Sequence, residues 1–176
     1  MTFFDLSTAV DHPYPLIRGG GLFLLCLGIC FLLSWVFRRH WLPFVIAGFA
    51  TGFVASGLSA LLPSLGTPSI PQIAGLVGAF VLEMGLIYLV LTRFKDAEQD
   101  RLVMIIFFVV GVHFLPMGLA HGPLIAVLGL ALMANAAAGL KWSSVVPVRV
   151  FGVLDAVLKI GFGAVMLFAH PALTFT

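Results

Sequence analysis

A helix needs roughly 20 apolar residues to cross a hydrocarbon core about 30 Å thick. Six stretches of this chain approach that length with few or no charges: Leu16–Phe37, Trp41–Leu62, Gln72–Leu91, Leu102–Ala120, Pro123–Leu140 and Val146–Ala169. Hydrophobic residues make up 61% of the chain and charged ones 9%, with a mean hydropathy of +1.18, which excludes a soluble domain of ordinary make-up. Strand-type alternation is absent, and Gly, Ala and Leu dominate, so the spans read as helices rather than as a barrel. The expected fold is all-α: one polytopic domain over residues 1–176, a bundle of six transmembrane helices.

The basic residues set an orientation. Arg38 and Arg39 follow the first span, Arg93, Lys95 and Arg101 the third, and Lys141 and Arg149 flank the start of the sixth. Arg18 alone falls on the other side, so the positive-inside rule puts three connections in the cytoplasm and both termini outside. Trp35, Trp41 and Trp142 lie near the cytoplasmic ends, where an aromatic belt is expected. The net charge of +2 is mostly this topology signal and calls for no nucleic-acid partner. The first span lacks a basic leader and an A-x-A-like cleavage site, so it is expected to be retained.

Polar residues inside spans are costly in lipid and mark the bundle interior. Glu83, His113, Asn135, Asp155 and Lys159 are the five to explain. At about 1.5 Å of rise per residue, Glu83, His113, Asp155 and Lys159 fall near one midplane level, with Asn135 somewhat nearer the cytoplasm. Small-residue stripes run beside them: Gly152 and Gly163 flank Asp155 and Lys159, Gly75 and Ala79 lead to Glu83, and Ala131 and Ala138 flank Asn135. Pro116 leaves the Val112 carbonyl without its helical donor beside His113.

Each residue also has a plainer reading. Asp155 and Lys159, four apart, suit an intrahelical ion pair; Asn135 suits a helix-to-helix hydrogen bond; and His113 alone suits a core histidine. Glu83 has no partner on its own helix, so it is protonated or meets Lys159, His113 or an ion. The combination points to a layer that handles a proton, an ion or a small polar ligand, by transport or sensing. The competing reading is a structural or accessory subunit with a buried ion pair.

Other chemistries are poorly supplied. Cys26 and Cys30, four apart, form neither a redox motif nor a zinc framework. Glu83, His113, His121 and Asp155 are suitable metal-ligand types, but no H-x-x-E or E-x-x-H spacing pairs them, and His121 is expected at the outer surface. "SGLSA", Ser56–Ala60, is better explained by packing than by an intramembrane serine nucleophile, and no phosphate loop occurs, so an enzyme is not expected. The partners expected are the lipid bilayer and a small ion or polar ligand; the Gly/Ala stripes suit a second copy of the chain as well as a neighbouring helix.

Two resemblances add to this. "VLDAVLKIGFG", Val153–Gly163, resembles the last helix of microbial rhodopsins, which implies retinal as cofactor, with Lys159 carrying the chromophore and Asp155 balancing its charge. Six spans rather than seven, and Trp residues at the interface, depart from that pattern. "GVHFLPMGLAHG" followed by D-x-x-x-K in the last span is similar to small bacterial multi-pass families of unknown function. His113, Phe114, Leu115 and Pro116 carry the first motif, and Asp155 and Lys159 the second. That resemblance implies a six-span protein of the bacterial inner (plasma) membrane and no particular activity.

Overall fold

A computed structural model describes residues 11–170 and Leu173. The described residues form six α-helices and no strand: α1 (Ile17–Val36), α2 (Trp41–Leu58), α3 (Ile70–Arg93), α4 (Gln99–His121), α5 (Pro123–Trp142) and α6 (Val148–Phe168). All six spans are long and apolar enough to cross a membrane, which makes the chain a multi-pass membrane protein.

Local chemistry sets the helix ends, which lie beyond the apolar stretches in α3, α4 and at the end of α5 and inside them in α1, α2 and α6. α3 starts at Ile70 because Pro71 is tolerated in a first turn and the Gln72 side chain accepts the Ser69 N–H at 2.8 Å. α4 runs unbroken through Pro116 and stops at Gly122, whose φ of 94° turns the chain directly into α5. A side chain at that position is excluded by the left-handed φ and again by the Tyr14 ring, 3.0 Å from where its Cβ would stand.

The packing order across the bundle is α2, α1, α6, α5, α4, α3, so the first and last helices are neighbours. Lipid supplies no hydrophobic drive between helices, and close van der Waals approach must replace it. Gly21 and Gly163 provide that approach between α1 and α6: a Cβ on either would come within 2.8 Å of the other's carbonyl oxygen. Gly28, seven residues along α1, meets Ala156, seven residues back along α6. Gly111 and Gly129 do the same for α4 and α5, at 2.9 and 2.7 Å.

The stripes read from the sequence have definite partners. On α6, Gly152 lies under the Trp35 indole and Gly163 on Gly21, so the face with Asp155 and Lys159 is turned to α1. On α3, Gly75 meets Leu119 and Ala79 is fully buried, so that stripe is turned to α4. The α5 face is rotated from the expected one. Ala131 and Ala138 are half-buried, while Leu132, Asn135 and Ala136 are buried, because α5 is gripped by both α4 and α6. Trp35 also departs from expectation, being buried against α6 instead of lying in an interfacial belt.

The end opposite the basic connections is laced by residues 11–16. The His12 N–H donates to the Leu65 carbonyl at 3.0 Å, and Gln72 donates from its side chain to Pro13 O at 2.7 Å. The His12 ring donates from Nε2 to the His170 carbonyl at 2.9 Å and accepts the Tyr14 N–H at Nδ1. Arg18 donates to the Pro63 carbonyl. One short segment thus ties together the α2–α3 loop, the start of α3 and the end of α6.

Candidate functional site

All five polar residues singled out from the sequence are buried. They do not form a single cluster. Glu83 of α3 stands with Oε1 3.6 Å from His113 Nδ1 of α4. Lys159 donates to Asp155 Oδ2 one turn earlier on α6, both side chains being completely enclosed. Among the described residues no hydrogen bond or ion pair joins the two pairs.

Each pair has its own surroundings. Lys159 Nζ lies over the Phe31 ring at 4.9 Å and the Phe107 ring at 5.7 Å from their centroids, so its charge is shared between a carboxylate and two aromatic faces. Asn135 donates from Nδ2 to the Phe151 carbonyl at 2.9 Å, joining α5 to α6 as a helix-to-helix hydrogen bond. Asn135 Oδ1 and Asp155 Oδ1 are buried without a hydrogen-bond partner among the described residues.

The Glu83–His113 pair borders a cavity of about 230 Å³ and the Asp155–Lys159 pair does not. The cavity lies in the seam between α2 and α3, with α1 and α4 behind it, and extends from Phe31 to Ser59. Phe53 of α2 and Phe80 of α3 approach each other across the seam, their centroids 6.0 Å apart. Its walls are mostly apolar, and its polar side chains are Glu83, His113, His121, Ser56 and Ser59.

His121 corrects the sequence reading. Expected at the outer surface, it is buried at the far end of the cavity, where it covers Gly20, and a Cβ on Gly20 would occupy the place of its ring. A histidine at the last position of an apolar helix gives no sign of burial, since only the glycine on a distant helix makes room for it. The aromatic lining was equally invisible, because its members come from four helices with no common spacing.

The arrangement limits the chemistry. No group of three metal-ligating side chains occurs among the described residues. Lys159, the residue that the rhodopsin resemblance assigns to a retinal Schiff base, is not on the cavity wall and is already engaged by Asp155. Cys26 and Cys30 are free, half-buried thiols. What remains is an acid and an imidazole on facing helices at the edge of a small enclosed space, suited to holding one mobile proton or one cationic group.

A family model described as Family of unknown function (DUF6609) matches residues 7–175. No curated protein and no solved structure matches. The chain belongs to that family, an uncharacterised one as the HFLP and D-x-x-x-K motifs implied.

Proposed function

We propose that this family member handles a small ligand within the bilayer in a proton-linked manner, by transport or sensing, with Glu83 and His113 as the exchanging groups. The single observation that carries the reading is the cavity that reaches Glu83 and His113 and leaves Asp155 and Lys159 outside it. An ionised carboxylate at membrane depth is stable only with a cation or a hydrogen-bonded partner, so a proton and a bound positive group compete for Glu83. His113, 3.6 Å away, is placed to accept the proton that Glu83 releases. The positive-inside orientation, with both termini outside the plasma membrane, puts the His121 end of the cavity toward the exterior.

The structural reading is favoured for Asp155 and Lys159 by their complete burial and mutual pairing. In this proposal the pair holds α6 against α1 and supplies a fixed charge near the site without exchanging protons itself. Infrared titration of the purified protein tests the assignment without knowledge of the ligand. A protonated-carboxyl band is expected to appear and disappear as the bulk pH is varied and to be missing in Glu83→Gln. A titrating band that persists in Glu83→Gln and vanishes in Asp155→Asn would assign the exchange to the wrong pair and end the proposal.

A further inference from the structure

We infer that the ligand of the Glu83 cavity is a small lipophilic organic cation, an ammonium carried on an apolar or aromatic body; the inference rests on the functional reading above. Charge is the first argument. Glu83 is the only carboxylate on the wall, and no Lys or Arg side chain lines the cavity among the described residues. The nearest ammonium, that of Lys159, is held by Asp155 behind the Phe31 ring. An anionic ligand would find no permanent counter-charge in this space, whose basic groups are the two imidazoles of His113 and His121.

The aromatic lining is the second argument. Phe23, Phe31, Phe49, Phe53, Phe80 and Phe114 all contribute to the cavity. Ring faces attract cations electrostatically, and the attraction grows when water is excluded. A calcium or magnesium ion needs about six oxygens at short range and finds a single carboxylate and two hydroxyls here, and no three metal-ligating side chains converge for a transition metal among the described residues. An organic ammonium has a diffuse charge and needs one anionic contact with aromatic faces around it. The volume of about 230 Å³ admits roughly eight water-sized groups at about 30 Å³ each, which limits the ligand to a compact molecule.

Proton balance is the third. A cation entering while Glu83 loses one proton leaves the net charge of the cavity unchanged, so the low-dielectric surroundings oppose neither state. The released proton passes by way of His113, 3.6 Å from the carboxylate, to water. Ligand and proton then occupy Glu83 alternately. A neutral molecule of the same shape has no means of displacing the proton.

Benzyltrimethylammonium, a permanent cation, and neopentylbenzene, its uncharged isostere, separate these possibilities. With the full chain in lipid nanodiscs, radiolabelled benzyltrimethylammonium is expected to bind saturably and to release about one proton per cation in weakly buffered solution, while neopentylbenzene does not compete at equal concentration. Glu83→Gln is expected to weaken the cation by about tenfold or more and to abolish proton release. Phe80→Leu, at the rim, is expected to weaken it severalfold with proton release intact. Absence of saturable binding, equal competition by the neutral isostere, or unchanged affinity in Glu83→Gln each overturns the inference. If Glu83→Gln does not fold, unchanged affinity in Phe80→Leu does so. Failure here with a Glu83 band that still titrates removes only the ligand class, whereas a band that does not titrate removes the proton-linked reading as well.

Discussion

Replacing Gly163 by Ala is the most direct test of how the bundle is held. The added Cβ would stand 2.8 Å from the Gly21 carbonyl oxygen, 3.0 Å from Leu24 Cβ and 3.0 Å from Leu25 N. Ordinary contact begins near 3.4 Å, so α1 and α6 must separate by about 0.6 Å. Two of the three opposing atoms belong to the backbone and cannot rotate away. A gap of 0.5–1 Å forfeits about a quarter to a half of each affected dispersion contact, and overpacking of this kind costs about 1–3 kcal/mol. The upper half of that range is expected, since packing is what holds helices together in lipid. Gly161→Ala is the control, on the same helix with nothing within 4 Å of its Cβ. Both substitutions gain the same helix propensity, so their difference isolates the α1 contact. Reversible unfolding in mixed micelles is expected to place Gly163→Ala about 2–3 kcal/mol below Gly161→Ala. Variants equal within about 0.5 kcal/mol would show that the Gly21–Gly163 crossing is not where the two helices are joined.

Two further outcomes follow from the polar groups. Lys159→Met leaves Asp155 buried and unpaired and is expected to destabilise the protein by about 3–5 kcal/mol, whereas the double change with Asp155→Leu recovers much of the loss; equal losses in the single and double variants in the same unfolding assay would contradict the pairing. At the laced end, burial pushes the His170 imidazole below its ordinary value, against an upward pull from the hydrogen bond to the Leu167 carbonyl, with smaller downward contributions from the nearby charges of Arg18 and His12. The unfolded chain then binds the proton more readily than the folded one, so stability contributed here is present above the ordinary histidine value of about 6.5 and declines as pH falls through it. The protection factors of the amides in residues 11–16, with the intrinsic pH dependence of exchange divided out, are expected to fall on acidification, and unchanged protection in His170→Gln compared with the wild type at low pH would separate His170 from the effect.

The six spans were legible because a bilayer demands length and apolarity, which a single chain displays without reference to its neighbours. The burial of Glu83, His113, Asn135, Asp155 and Lys159 was legible for the same reason, since lipid penalises each of them individually. Which of them meet was not. Glu83 meets His113 rather than Lys159 because α3 packs on α4 while α6 packs between α1 and α5. That order depends on where glycines on different helices oppose one another, and the opposition of Gly21 to Gly163 is a property of pairs. His121 was misjudged by the same route, its burial depending on Gly20. The cavity is further removed still, being the space left where α2 and α3 flank the seam.

The bond between Lys159 and Asp155 within one helix also bears on how the chain enters the membrane during synthesis. Of the six described helices α6 emerges after the other five, its neighbour α1 among them. A lone Asp or Lys at the centre of an inserting segment costs about 2.5–3.5 kcal/mol, which a marginal helix does not tolerate. Placed four residues apart, the two charges neutralise each other within the helix, without help from α1 or α5, so α6 carries its own counter-charge across. Glu83 has no such companion on α3 and depends on α4, the next helix to leave the ribosome. The two pairs therefore imply two insertion units, a self-sufficient final helix and an α3–α4 hairpin that partitions into lipid as one.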